Sequence, residues 1–218
     1  MVLALAYSCK TLAALLWFCE SAVFYWVEER KEMEMMPRAA RVLCLVFAVA
    51  FLAGTAAQLY AFHQWGCYHW AWPAGTGKLD LGYAYGMMQT NRDYFGAYTR
   101  SRDVWNTAPP LNVFQVASGN QLTWYAKRYG FNGWLGLATI YINGCIINKG
   151  TSKLNDSYLR SSLYSQTSID HVACQEVGHT FGLDHDRTRT DTCMNDKVLT
   201  AGAKISQHDK DQILSMYP

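Results

Sequence analysis

The sequence predicts a small α+β domain that follows a hydrophobic amino-terminal region. Apolar residues recur at helical spacing from 169 to 180, after a serine, Ser168, that can cap a helix. Two segments rich in β-forming residues, 111–117 and 135–142, predict strands. Residues 42–57 form an apolar run without a charged side chain. A chain of 218 residues therefore accommodates one domain and a hydrophobic segment before it.

The composition excludes some classes of partner. Half of the residues are hydrophobic, 17% are charged, and the formal net charge is +2. A charge this small gives no reason to expect nucleic acid or an anionic surface as a partner. The low charged fraction reflects the amino-terminal region, so we expect contact with a membrane only there.

In the amino-terminal region, basic residues, an apolar run and small residues follow one another as they do in a secretory signal peptide. Arg38 and Arg41 precede the apolar run, which ends in small residues. We expect translation to begin at Met35 or Met36, with residues 35–57 as the signal peptide. The domain would then be secreted.

A second interpretation of this region stays open. If the chain begins at Met1, residues 2–27 and 39–62 are two membrane helices, and the basic residues between them keep their loop in the cytoplasm. Otherwise residues 1–34 are an over-extended reading frame. Both interpretations place residues 63–218 outside the membrane, either secreted or membrane-anchored.

One short segment carries the chemistry that the sequence predicts. Residues 175–185 read Q-E-V-G-H-T-F-G-L-D-H. On a helix, Gln175 and His179 lie one turn apart on the same face. Gly182 suits a helix end, after which the chain can turn back and deliver His185. Three side chains so placed can hold one metal ion and leave one position open, as catalytic zinc sites do.

The neighbouring residues complete this candidate site. The carboxylate of Glu176 would act as a general base on water activated by the metal. Because an amide oxygen is a weaker zinc ligand than imidazole, we considered replacements for Gln175. His171 lies more than two turns before His179, about 12 Å along a straight helix, and is excluded. Asp186, next to the end of the motif, is the reserve ligand.

The motif resembles the signature of the metzincin zinc metallopeptidases, H-E-x-x-H-x-x-G-x-x-H followed by a methionine turn. Gln175 stands in the place of the first histidine, as in similar small secreted bacterial proteins. Met194, within residues 191–195, is similar to the methionine turn. Over residues 78–218 the chain looks most like the matrixins, and residues 206–217 are similar to their closing helix.

The resemblance implies the fold of residues 78–218. It is a metzincin-like (zincin) catalytic domain of the α+β class: a twisted mixed sheet with an antiparallel edge strand, an active-site helix, a Met turn and a C-terminal helix. Residues 78–85 are similar to the first strand, and residues 97–105 to the first helix. Residues 134–140 stand where metzincins have the edge strand over the cleft. Such an edge strand can pair with an extended peptide. Residues 155–158 are similar to the strand after it.

The resemblance also implies a function. The protein would be a secreted, monomeric zinc-dependent endopeptidase that hydrolyses protein or peptide substrates. Gln175, His179 and His185 would hold zinc, Glu176 would be the catalytic base, and Met194 would line the floor beneath the metal. Loops of such domains often hold calcium as well. The alternative that stays open is a catalytically inactive metzincin-fold module that binds peptides or a partner protein.

The chain departs from the matrixins in one metal site and carries an additional segment before the domain. Matrixins hold a structural zinc with histidines that this chain lacks, since it has no histidine between His69 and His171. Residues 58–77 form an aromatic arm before the domain. We expect this arm to pack onto the domain, and a carbohydrate-facing cluster is the other interpretation.

Four cysteines follow the hydrophobic region and suit an oxidising, extracellular location. The resemblance brings the motif helix and the Met turn together around the metal, so we pair Cys174 with Cys193. Metal ligation by these two is the competing interpretation. It is disfavoured because Cys174 points about 100° around the helix from Gln175. The pairing of Cys67 with Cys145 is the one that remains, and the sequence does not establish it.

Overall fold

A computed structural model describes residues 63–72, 77–197 and 199–218. The predictions for the start site, the signal peptide and the two membrane helices lie outside the described residues, as does part of the aromatic arm. Within the described ranges, no helix is both long enough and apolar enough to cross a membrane.

The described part of the chain is a mixed α/β domain built on a mostly parallel sheet. Its strands are β1 (His69–Trp70), β2 (Leu79–Met88), β3 (Leu111–Gln115), β4 (Leu122–Lys127), β5 (Gly136–Asn143) and β6 (Ile146–Asn155). They lie in the order β1-β6-β4-β2-β3, and every neighbouring pair in this order is parallel. Strand β5 pairs with β6 in the antiparallel direction, from Gly136 opposite Leu154 to Asn143 opposite Ile146.

Four helices accompany the sheet in the described residues. They are α1 (Tyr94–Trp105), α2 (Asp156–Leu159), α3 (Gln166–His179) and α4 (Gln207–Met216). Helix α3 packs against α1 and against strands β5 and β6. The ring of Trp124 stacks between Tyr83 and Tyr98, with centroids 3.8 and 5.0 Å away. This aromatic layer joins α1 to the sheet, and α3 lies beside it.

Helix α3 has the buried face that its sequence predicts but begins earlier. Ile169, Val172 and Val177 are at most 2% exposed. The cap is Ser165, whose hydroxyl accepts a hydrogen bond from the backbone N–H of Ser168. Ser168 therefore lies inside the helix, and the prediction that it is the cap is wrong.

The prediction of a strand at residues 155–158 is also wrong. Asn155 ends β6, and its side chain accepts a hydrogen bond from the backbone N–H of Ser157. This bond satisfies a donor that the first turn of a helix leaves unpaired, so the chain continues as α2.

Two disulfides tie the domain together. Cys174 pairs with Cys193, and Cys67 pairs with Cys145. The first joins α3 to the segment before Met194, and the second joins the segment before β1 to the turn between β5 and β6. Cys174 is thus not available as a metal ligand.

Candidate functional site

The end of α3 sets the position of the candidate site. His179 is the last residue of the helix, and Thr180 is its C-cap. Gly182 then has φ +91° and donates its N–H to the His179 carbonyl. A Cβ at residue 182 would lie 2.2 Å from the Tyr68 carbonyl oxygen. Glycine is therefore required both for the backbone conformation and for the space, and the turn brings His185 back toward the helix.

The turn places two imidazoles together. The Nε2 atoms of His179 and His185 are 3.2 Å apart, and the two rings are perpendicular, at 89°. Two nitrogens bound to one zinc ion at about 2.0–2.1 Å with tetrahedral angles would be about 3.3 Å apart. The observed separation therefore fits two ligands of one ion.

A hydrogen bond to the backbone of Leu183 sets the orientation of the His179 ring. Its Nδ1–H donates to the Leu183 carbonyl at 2.8 Å, which leaves the lone pair of Nε2 directed toward His185. Metal-binding histidines usually have such a partner on the other ring nitrogen. Burial lowers the pKa of His179 to about 4, so its imidazole is neutral at physiological pH.

Gln175 lies one turn before His179 on the same face of α3. It is 6% exposed, and its amide Nε2 is buried without a hydrogen-bond partner. A buried polar atom without a partner is costly. Rotation of the amide by 180° exchanges its nitrogen for its oxygen, which can bind a cation. The side chain is therefore free to take a metal ion as its missing partner.

Glu176 faces strand β5. Its side chain is 6% exposed, and its carboxylate accepts a hydrogen bond from the backbone of Ala138. A Cβ on Gly136 would lie 2.5 Å from the Oε1 atom of Glu176, so the glycine leaves room for the carboxylate. Burial raises the pKa of Glu176 to about 8.

Met194 lies beneath the helix. Its side chain is fully buried, and its sulfur would be 2.6 Å from a Cβ on Gly178, the residue before His179. The Met194 carbonyl accepts a hydrogen bond from the N–H of Asp186 at 2.9 Å. The Cys174–Cys193 disulfide holds this segment against α3. Met194 thus supports the backbone from which His179 projects.

His171 takes no part in this arrangement. It is fully buried, and its Nε2 lies 2.8 Å from the carbonyl oxygen of Asn195. Burial lowers its pKa, so the neutral ring with a proton on Nε2 donates to that carbonyl.

Asp186 belongs to a different cluster from the one the sequence predicts. Its carboxylate lies with the imidazoles of His63 and His208, with one possible donor atom from each within 4.8 Å of the others. Among the described residues, these three side chains form the group of histidine, cysteine or acidic residues whose donor atoms all lie within 4.8 Å of one another. The group does not include His179 or His185. The structure thus places Asp186 with His63 and His208 rather than with that pair, and its role as a reserve ligand stays a prediction. His63 and His208 were not identified from the sequence, since no motif spacing links them.

Comparison with known proteins finds no family model and no curated protein that matches the chain.

Proposed function

We propose that the protein is a zinc-dependent endopeptidase of metzincin type, in which Gln175, His179 and His185 hold the metal ion. The observation that carries this proposal is the 3.2 Å separation between the Nε2 atoms of the two histidines. The buried, unpartnered amide of Gln175 one turn away supplies the third candidate donor. Three protein ligands with an open position suit a catalytic zinc site.

The surroundings of His185 also suit a metal ligand. Without a metal, the Nδ1 atom of His185 accepts a hydrogen bond from Arg187 at 3.4 Å, and a proton lies between the two Nε2 atoms. A metal ion on Nε2 would require the His185 proton to lie on Nδ1. Carboxylate oxygens of Asp184 and Asp196 lie 3.5 and 3.8 Å from that Nδ1 atom. A carboxylate behind a ligating histidine is a common feature of zinc sites.

Glu176 is the proposed catalytic residue. A zinc ion, when bound, would polarise the substrate carbonyl and lower the pKa of water. Burial alone raises the pKa of Glu176 to about 8, and the positive charge of a bound zinc ion would favour the ionised carboxylate. That carboxylate would accept the proton of the attacking water and later deliver it to the amine that leaves. Its hydrogen bond with the backbone of Ala138 orients the carboxylate.

Strand β5 would bind the substrate. It pairs with β6 on one side, and no strand of the described residues pairs with it on the other. An extended peptide can add to such an edge through backbone hydrogen bonds, with alternate side chains directed into the cleft. Because Glu176 contacts this strand, a peptide bound there would lie beside the proposed base.

The two disulfides support a secreted protein, because disulfides persist in oxidising compartments. We propose an extracellular, monomeric enzyme whose substrate is a protein or peptide. Calcium in its loops remains part of the hypothesis that comes from the resemblance to matrixins.

A second candidate function is a metzincin-fold module that binds peptides without cleaving them. Gln175 is the observation that favours it, because a neutral amide oxygen binds zinc more weakly than an imidazole does. The buried Glu176 favours the enzyme, because a peptide-binding surface gains nothing from a carboxylate placed next to a metal site.

The test combines zinc content with casein hydrolysis by the purified full-length protein. We expect hydrolysis that a chelator abolishes and that zinc restores. The Glu176→Gln variant should keep its zinc and lose hydrolysis by about 100-fold or more, the size of a general-base contribution. Zinc retained by the unmodified protein without hydrolysis would favour the binding module. A His185→Ala variant with unchanged zinc content would overturn the metal site itself.

A further inference from the structure

We propose that His63, Asp186 and His208 form a second metal site, distinct from the site of His179 and His185, for a divalent ion of the zinc type. One donor atom from each side chain lies within 4.8 Å of the other two. His63 precedes β1, Asp186 follows the motif, and His208 lies in the first turn of α4. The site would join three distant parts of the chain.

His63 is oriented as a ligand. Its side chain is 6% exposed, and its Nδ1 lies 3.0 Å from the carbonyl oxygen of Asp184. A proton on Nδ1 donated to that carbonyl leaves Nε2 with a lone pair, and Nε2 is buried without a hydrogen-bond partner. This is the same arrangement as that of His179 with the Leu183 carbonyl.

Asp186 presents to the cluster one oxygen that has no hydrogen-bond partner. Its Oδ1 accepts hydrogen bonds from the backbone N–H and the hydroxyl of Thr188, at 3.0 and 2.5 Å. Its Oδ2 is buried without a hydrogen-bond partner and lies 3.9 Å from Nε2 of His208. The carboxylate is thus held by one oxygen and leaves the other for a cation.

A second carboxylate repeats this pattern next to His63. The Oδ2 atom of Asp209 is saturated by hydrogen bonds from Ser206 and Thr192. Its Oδ1 is buried without a hydrogen-bond partner and lies 3.4 Å from Nε2 of His63. Two buried carboxylates, each with one oxygen that has no hydrogen-bond partner, give the cluster a negative field that favours a cation.

The competing arrangement contains no metal. In the structure, Nε of Arg189 lies 3.3 Å from Oδ2 of Asp186, and Nε2 of His63 lies 3.4 Å from Oδ1 of Asp209. With neutral histidines, two carboxylates and one guanidinium leave one negative charge, which a proton or a metal ion can balance. The Arg189 side chain is 38% exposed and can turn toward solvent, so it does not block an ion.

The donor atoms select the class of ion. Calcium and magnesium prefer sites made of oxygen atoms. Two imidazoles with one carboxylate instead suit zinc and similar transition-metal ions.

The position of the cluster suggests a structural role. The backbone of His63 donates to the Gln212 side chain of α4 and accepts from the N–H of Asp184. A metal ion would add a link among the same three parts, namely the arm, α4 and the loop that carries His185. We therefore expect it to hold that loop in place rather than to act on substrate.

The test measures zinc per chain in the purified full-length protein after loading with excess Zn²⁺ and desalting. The informative variants are Asp186→Asn, which keeps the size of the side chain, and His208→Ala. His69→Gln, in β1, is the control histidine outside the cluster. The unmodified protein and the control should hold one zinc ion more than either variant. Zinc affinity at the site should fall by more than about 100-fold, because even the loss of a group behind a ligand costs about 10–100-fold.

The His185→Ala variant separates this site from the proposed catalytic one. It should retain one zinc ion, and the double variant with His208→Ala should retain none. If the unmodified protein holds one ion that His185→Ala keeps and His208→Ala loses, the second site stands and the catalytic site fails. If His185→Ala, folded by circular dichroism, retains no zinc, the second site is overturned. Unchanged zinc content in folded Asp186→Asn and His208→Ala would overturn it as well.

Discussion

Glu176 fits against strand β5 because residue 136 is glycine. A Cβ there would lie 2.5 Å from both Cγ and Oε1 of Glu176, and 2.6 Å from Val172. The strand that would receive the substrate and the helix that carries the proposed base therefore approach each other at one position without a side chain. This contact couples the location of Glu176 to the backbone of β5.

A Gly136→Ala substitution should impair hydrolysis while leaving zinc binding intact. The added methyl group would displace the Glu176 carboxylate, and a misplaced general base loses much of a contribution worth about 10²–10⁴-fold in rate. We expect kcat to fall by about 100-fold, measured with a peptide substrate. Phe114→Ala, which truncates a half-exposed side chain on β3, away from the proposed substrate strand, is the control and should retain most activity. Full activity in Gly136→Ala would show that this contact does not position the base.

Replacement of Gln175 by histidine should strengthen zinc binding. An imidazole is a better ligand than a neutral amide oxygen, so we expect the Kd for zinc to fall by at least about 10-fold. Competition with a chromogenic chelator measures it, in the His208→Ala background so that the second cluster does not contribute.

Gln166→His is the matched control for this change, because Gln166 begins the same helix but bonds to Asp93 and Asp170. Its zinc affinity should not change. Equal affinities of Gln175→His and the parent protein would mean that residue 175 is not a ligand.

The elements that could be predicted from the sequence are those with a strong local pattern. The strand expected at 135–142 is β5. Helix α3, which carries the first half of the motif, has the expected buried face. Strand β4 was not predicted, although its buried residues alternate from Leu122. At 155–158 the prediction failed because Asn155 ends strand β6 and its side chain caps the helix that follows.

The two candidate metal sites also differ in how far the sequence predicts them. His179 and His185 lie six residues apart with a glycine between them, so a helical turn followed by a reversal brings them together. His63, Asp186 and His208 share no spacing that a helix or a turn could convert into proximity. They come within 4.8 Å because the segment that contains His63 and helix α4 both pack on the loop that carries Asp186.

Removal of the Cys174–Cys193 disulfide should destabilise the domain. The bond joins cysteines separated by 19 residues, and a loop of this size corresponds to about 3 kcal/mol of lost unfolded-state entropy. The Cys174→Ala/Cys193→Ala protein should therefore unfold at a lower denaturant concentration than the parent. The comparison is the parent protein in a reducing agent, in which both disulfides are open. The difference between its midpoint and that of the double variant reports the contribution of the Cys67–Cys145 bond. An unchanged midpoint in the double variant would contradict this expectation.

Gly182→Ala should be more damaging than the same change at another left-handed glycine. Gly182 has φ +91°, and an added Cβ would lie 2.2 Å from the Tyr68 carbonyl oxygen, so both strain and a backbone clash oppose alanine. Gly119 has φ +70° with nothing within 4 Å of the added Cβ, so only the conformational strain of about 1–2 kcal/mol applies there. We expect Gly182→Ala to lower the free energy of unfolding by about 3 kcal/mol or more and Gly119→Ala by about 1 kcal/mol. Chemical denaturation of the two variants measures both values, and zinc content in the His208→Ala background reports whether the site of His179 and His185 still binds metal. Equal losses of stability would mean that the chain relieves the contact with Tyr68 at no cost.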